Sequence, residues 1–292
     1  MNFKQFLFPS DTKRKVWLDF LDYANRLFAA GREDLWSNPD TFISIYSQGQ
    51  GLLRSDVLSL SILDFYADFI HREPEVREPW MGRKPTFALK KLLALEEPRR
   101  VLLDVLSGLQ TLYRGNPPIV LAIPSPQRLL LWLDSVVQLD QDHPISDDDI
   151  EAAAIYLAEY LRSFSTSGLS AIVIMESDSP LLDLNEALSL YQPVFNIVKH
   201  YQWSVGIQQE GIAHGITGDG DEVDFYLYGD SESSDLLPLW KKGLAIGGGL
   251  NRNFWEGNSD LSELPSIGLA YGMIPGNAEP EKVLAQLKKL HS

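Results

Sequence analysis

The chain has 292 residues, of which 45% are hydrophobic and 22% charged, enough apolar material for one large globular core. A formal net charge of -15 argues against a nucleic-acid backbone or an anionic membrane surface as partner. The absence of cysteine removes disulfides, thiolate nucleophiles, thiolate zinc sites and iron–sulfur clusters.

The N-terminal stretch MNFKQFLFPSDTKRK has too short an apolar run for a signal peptide, and no stretch approaches the ~18 apolar residues of a membrane span. A cytoplasmic location is therefore expected. Ser10 is a good N-cap for a helix over Lys13 to Ala30, in which Val16, Phe20, Tyr23, Leu27 and Ala30 recur at helical spacing before Gly31. Asn38-Pro39-Asp40 punctuates, and Thr41 to Leu53 reads as a second helix. Asp56 to Leu63 reads as a strand closed by Asp64. The proline-rich, mixed-charge segment His71 to Pro85 resembles a surface loop or lid, and helices follow over Phe87 to Leu95 and Pro98 to Tyr113.

From there strands and helices alternate. Ile119 to Ile123 is a strand, and Pro124 and Pro126 form the turn that opens a helix near Gln127. Ser146 and three aspartates cap a helix from Ile150 to Ser163. Ser170 to Met175 is a strand with an apolar, β-branched centre that stops at Glu176. Leu184 to His200 is a helix that Pro193 should kink or split. Further strands are expected at Trp203 to Ile207, Glu222 to Tyr228, Leu244 to Ile246 and Ser266 to Tyr271, with helices at Leu236 to Lys242 and Glu279 to Leu290. Alternation of this kind implies parallel strands with right-handed crossovers. The expected fold is a (β/α)8 barrel, residues 56–292, carrying an N-terminal helical extension, residues 1–55, in one domain overall. Seven strands are evident, one short of closure, so the eighth is expected between Arg72 and Arg100 unless the barrel is irregular. An open doubly wound parallel sheet is the alternative, although no GxGxxG follows an early strand.

In a barrel the strand ends converge on one mouth, which collects Asp64, Ser125, Glu176, Asp178, Gln208, Glu210, Tyr228, Asp230, Asn251, Arg252 and Tyr271. Acids and amides of this kind suit a small polar molecule. Glu176 and Asp64 are candidate acid–base groups, Tyr271 a hydrogen-bond donor, and Arg252 an anchor for a substrate carboxylate, with the remaining residues binding substrate. The five histidines, at 71, 143, 200, 214 and 291, show no paired ligand spacing, and the GDGDEVD run lacks a full calcium-loop pattern. No metal and no cofactor is expected. A serine nucleophile has no GxSxG to support it.

Four segments, in this order, resemble the uroporphyrinogen decarboxylase and cobalamin-independent methionine synthase superfamily. They are PPIVLAIPSPQRLLLWL, then YLRSFSTSGLSAIVIMES, then the proline-containing SLYQPVFNIVKHY, and finally YGMIPGNAEPEKV. The resemblance implies a (β/α)8 barrel with an N-terminal helical extension and a lyase or a methyl or one-carbon transferase activity. The departures are as informative. Phe225 and Leu227 stand where the synthases carry zinc ligands, Tyr271 replaces a decarboxylase histidine, and the decarboxylases' arginine-rich RQAGRY motif has no counterpart. A divergent enzyme on a small polar organic substrate is expected, neither a thiolate-zinc synthase nor an authentic uroporphyrinogen decarboxylase. The alternative is a catalytically inactive binding or regulatory protein on the same barrel, its mouth plugged by side chains such as Trp80, Phe254 or Trp255. The expected partner is a small-molecule ligand, and the composition permits a homodimer.

Overall fold

A computed structural model describes residues 2–9, 14–137, 144–209, 222–259, 264, 266 and 268–291. Eight parallel strands run β1 (Lys15–Asp19), β2 (Leu58–Ser61), β3 (Ile119–Pro124), β4 (Leu169–Met175), β5 (Ser204–Gln209), β6 (Phe225–Tyr228), β7 (Ile246–Gly249) and β8 (Leu269–Met273). They pair in the order β1-β8-β7-β6-β5-β4-β3-β2. This is a nearly closed (β/α)8 barrel, as the alternation of elements implied, and not an open doubly wound sheet. Helices flank it throughout: α1 (Phe3–Leu7), α2 (Leu21–Phe28), α3 (Pro39–Leu53), α4 (Ile62–Arg72), α5 (Pro85–Leu93), α6 (Glu96–Tyr113), α7 (Pro126–Val137), α8 (Asp147–Leu161), α9 (Leu184–Leu190), α10 (Gln192–His200), α11 (Ser233–Lys241), α12 (Arg252–Glu256) and α13 (Pro280–His291).

Local signals account for most boundaries. The Asn38 carboxamide accepts the backbone N–H groups of Asp40 and Thr41, Pro39 sits in the first turn, and Arg54 ends α3 in the left-handed conformation at φ 56°. Ser146 and Asp149 form a reciprocal capping box at the start of α8. The expected break at Pro193 is real: α9 stops at Leu190, and α10 restarts with the proline in its first turn.

The missing strand lies elsewhere than expected. Residues 72–100 hold a 3-10 helix (Pro74–Trp80), α5 and the start of α6. The eighth strand is β1, inside the segment whose spacing predicted a single helix over Lys13 to Ala30. Lys15 to Asp19 pair in register with Leu269 to Met273 of β8, and the helix begins only at Leu21. The barrel therefore starts within the first twenty residues, and residues 1–55 are not a helical extension as expected. The His71–Pro85 segment is no free lid either, because Trp80 is buried at 3% exposure and the Gly82 N–H donates to the Val137 carbonyl.

β1 and β2 are the two ends of the pairing order, and side chains bridge the seam between them. The Asp56 N–H donates to Val16 O at 2.7 Å, while the Asp56 carboxylate accepts Val16 N–H at 2.8 Å. Ser55 Oγ accepts Leu18 N–H at 3.0 Å, and Lys15 Nζ lies 3.4 Å from the Asp56 carboxylate. Buried strand amides that lack a neighbouring ladder are thus satisfied by a carboxylate and a hydroxyl.

Two apolar layers result. Outward-facing strand residues such as Leu18, Leu121, Ile172 and Ile207 pack under the helices. Inward-facing Trp17, Val120, Val173, Phe225, Leu227, Leu269 and Tyr271 fill the barrel, and Phe3 and Leu7 of α1 join them. Phe3 meets Trp17 and Phe225, and Lys15 Nζ lies 4.5 Å from the Phe6 ring centre. Phe225 and Lys15 are the first residues of their strands, so α1 plugs the amino end of the barrel. Burying the Phe3 and Leu7 side chains is worth roughly 1.5–3 kcal/mol each. The carboxyl end is left as the open mouth.

Candidate functional site

The mouth holds a cavity of about 520 Å³. Its floor is set by strand alternation: Ser59 and Ser61 of β2, Ala122 of β3, Met175 of β4, Gln208 of β5 and Met273 of β8 all point inward. Asp19 is the last residue of β1 and shares the inward face with Trp17 below it. Asp22, in the first turn of α2, lines the cavity as well, and so does Arg128 from the first turn of α7. Asp64, Asp68 and His71 form a stripe along one face of α4, at spacings of four and three residues.

The Asp19 carboxyl is half-buried. Burial, then the charges of Asp64 and Asp22, push its pKa up to about 7, against the pull of the Leu21 N–H. Asp64 is likewise raised, first by loss of surrounding solvent and then by Asp22, with Ser61 and Arg128 opposing. Asp64 nevertheless remains exposed to the water in the mouth, which screens its charge, so Asp19 carries the stronger perturbation. Arg128 is held in place by a 2.9 Å hydrogen bond from Nη1 to the Glu176 carbonyl.

Of the residues singled out in the sequence, Asp64 and Gln208 line this cavity. The other described ones lie elsewhere. Glu176 is 4% exposed, on the opposite side of the strand from Met175. Its carboxylate accepts Gln127 Nε2 at 2.9 Å, and the Gln127 carbonyl in turn accepts the N–H groups of Leu181 and Leu182. Burial raises its pKa, opposed by Ser125, Tyr191, Gln127 and the Ser177 N–H. Glu176 thus pins the loop after β4 between β4 and α7. Ser125 is fully buried and caps α7 by accepting the Arg128 N–H at 3.1 Å. Asn251 caps α12 by accepting the Phe254 N–H.

Tyr271 points inward but one layer too deep. It lies edge-on to Trp17 at 5.7 Å, and Met273, two residues later, takes the place at the mouth. Tyr228 faces outward against Leu236 and Ile246, and its pKa is raised by burial. Asp178 and Asp230 are exposed in turns and do not line the cavity. Arg252 is on the outer helical layer, ion-paired to Glu256 at 3.1 Å, beside a separate cavity of about 300 Å³ near Trp255 and Lys282. Glu176 and Arg252 therefore do not share a site with Asp64, as the strand-end list would have required. Glu210 and His214 lie outside the described residues. Trp80, Phe254 and Trp255 are buried elsewhere and do not plug the mouth.

Asp19, Asp22, Arg128 and His71 escaped the sequence reading. Asp19 had a usable signal in KVWLD, where a lysine, a tryptophan and an aspartate occupy alternate positions, the period of a strand. Arg128 follows the PSP turn by one helical step, and only the sheet decides that it faces the mouth. Among the described residues, no group of three or more His, Cys, Asp or Glu side chains is arranged to hold a metal ion. No helix among them is long and apolar enough to cross a membrane.

No family model matches the chain, and no curated protein matches it. Among solved structures it is similar to a methyltransferase from Methanosarcina mazei, with 10% identity and a TM-score of 0.62 over 97% of this chain and 96% of that one. It is also similar to the carboxyl transferase domain from Rhizobium etli pyruvate carboxylase, with 10% identity and a TM-score of 0.44 over 98% of this chain and 51% of that one. At such identities the likeness is one of fold, and the methyltransferase shares this barrel over nearly its whole length.

Proposed function

We propose that the mouth of the barrel is an active site in which Asp19 and Asp64 act as a general acid–base pair on a small polar organic molecule. The observation that carries this is the Asp19 carboxyl, whose pKa of about 7 lies within a cavity of about 520 Å³ at the carboxyl ends of the strands. A carboxyl that is half protonated near neutral pH can both take and return a proton in one turnover, and like-charged neighbours are a common means of placing it there. Asp64, more exposed to solvent and less perturbed, is the partner that stays ionised. A cavity of this size and position is where barrel enzymes bind their substrates.

The reaction class is a lyase or a methyl or one-carbon transferase in a divergent branch of the uroporphyrinogen decarboxylase and methionine synthase superfamily. The order of the four sequence segments, the barrel and the likeness to a methyltransferase fold support it. A small-molecule partner follows from the same proposal, and the cysteine-free composition is consistent with a cytoplasmic location.

The test is a thermal-shift screen of small carboxylates, amines, folates and tetrapyrroles against the wild type and the Asp19→Asn/Asp64→Asn double variant. A ligand at one hundred times its dissociation constant adds about 2.7 kcal/mol to stability. The expected result is a ligand class that stabilises the wild type and leaves the double variant unshifted. Equal shifts in both proteins would refute a role for the pair.

A further inference from the structure

The same cavity also indicates what kind of molecule it takes. Three carboxylates, Asp19, Asp22 and Asp64, face it, and none of them forms an ion pair with a lysine or arginine among the described residues. Asp68, also on the wall, is already matched by Arg72 at 2.8 Å. The cation facing them, Arg128, spends one guanidinium N–H on the Glu176 carbonyl, and it lowers the Asp64 pKa without closing to a salt bridge. The cavity thus presents an excess of negative charge, and an anionic substrate would enter against it.

Beside Ser59, Ser61, Gln208 and His71, the wall also carries apolar surface. Leu21, Trp36, Leu63, Met175 and Met273 line it, and Met273 keeps 48% of its surface open. Trp36 is fixed by ring contacts with Phe42 and Phe65, centred 5.6 Å and 5.0 Å away. A bare metal ion has no use for such a wall, and the carboxylates do not converge as a metal ligand set among the described residues. An organic cation uses both halves. Its charge neutralises the carboxylates, and its alkyl groups lie on thioether and aromatic surface, with an indole available to attract the cation.

We propose that the substrate class of this mouth is an alkyl-substituted ammonium compound, its charge set among Asp19, Asp22 and Asp64 and its alkyl groups against Trp36 and Met273. The assignment rests on the acid–base mouth proposed above and narrows it. It also couples binding to protons: the cation favours ionised Asp19 and Asp64, which share the cavity with Asp22, Asp68, Arg128 and His71, so affinity rises as pH passes upward through about 7.

Three probes of similar shape and different charge test it: choline, 3,3-dimethylbutan-1-ol and 3,3-dimethylbutanoate, titrated calorimetrically into the 292-residue chain. At pH 8 choline is expected to bind at least tenfold more tightly than the alcohol, and the carboxylate not at all. Asp64→Asn and Asp22→Asn should each weaken choline about tenfold, and both positions are exposed, so these variants are expected to fold as the wild type does in thermal melts. Trp36→Leu should weaken choline with little change for the alcohol. Tighter binding of the carboxylate than of choline, abolished by Arg128→Gln, would overturn the ammonium assignment and leave the acid–base mouth standing. Silence from all three probes would also overturn it. The acid–base proposal would fall as well if the broad screen failed to distinguish the wild type from the double variant.

Discussion

The Asp19→Asn substitution probes the mouth without needing a substrate. Asp19 is placed so that its charged form is disfavoured in the fold. Its pKa rises from 3.8 to about 7, and a pKa unit is worth about 1.36 kcal/mol, so the penalty has a ceiling of about 4 kcal/mol. Asp19 is only half-buried, and solvent discounts the figure to roughly 2–3 kcal/mol. The sign follows from proton binding. Below pH 3.8 the carboxyl is protonated in both the folded and unfolded states, and stability is unaffected. Between pH 4 and 7 the folded state holds the proton that the unfolded state has released, so stability falls as pH rises. Above pH 7 the full penalty is present. Asparagine keeps the shape and can still accept the Leu21 N–H, but it carries no charge. Urea denaturation of wild type and variant at pH 4 and pH 8 should therefore show near-equal stabilities at the lower pH. At pH 8 the variant should be the more stable by roughly 2–3 kcal/mol, a gain in stability accompanying a loss of function. A variant equally displaced at both pH values, or less stable at pH 8, would refute the perturbed carboxyl and with it the main support for an acid–base site.

Two further substitutions separate scaffold from site. Glu176→Ala removes the acceptor of the buried Gln127 amide and should cost about 1–3 kcal/mol in chemical denaturation, while ligand affinity at the mouth is unchanged apart from any displacement of Arg128. A loss of binding without a loss of stability would return Glu176 to the catalytic role its sequence position suggested. Asp56→Ala strips the barrel seam of the acceptor for Val16 N–H and of the partner of Lys15. It should cost about 1–3 kcal/mol with an unchanged denaturant slope, and hydrogen exchange should quicken at Val16 ahead of the strands on the far side of the barrel. Unaltered exchange at Val16 would mean that the seam does not depend on this carboxylate.

Much of this architecture is written in local chemistry. Prolines, caps and β-branched runs mark where helices and strands begin: Asn38-Pro39 opens α3, Ser146 opens α8, Pro193 divides α9 from α10, and the Ile172–Ile174 run suits a strand covered on both sides. Alternation of such elements implies parallel strands joined by right-handed crossovers, and leaves a barrel and an open doubly wound sheet as the alternatives. Two decisions are not local. Val16, Phe20, Tyr23 and Leu27 satisfy a helical spacing, yet residues 15–19 are a strand because β8, at the other end of the chain, offers Leu269 to Met273 as a partner and the plug of α1 needs Trp17 inside. A single sequence cannot contain that pairing energy. The other decision is which side of a strand reaches the mouth. Where both faces are apolar, as in β4, no alternation of polarity reveals the phase, and one residue of phase is the difference between Met175 lining the cavity and Glu176 buried behind it. The strand ends could therefore be read from the sequence, but the closed sheet decided which of their side chains face one another across the mouth, because only closure fixes every strand's inward face at once.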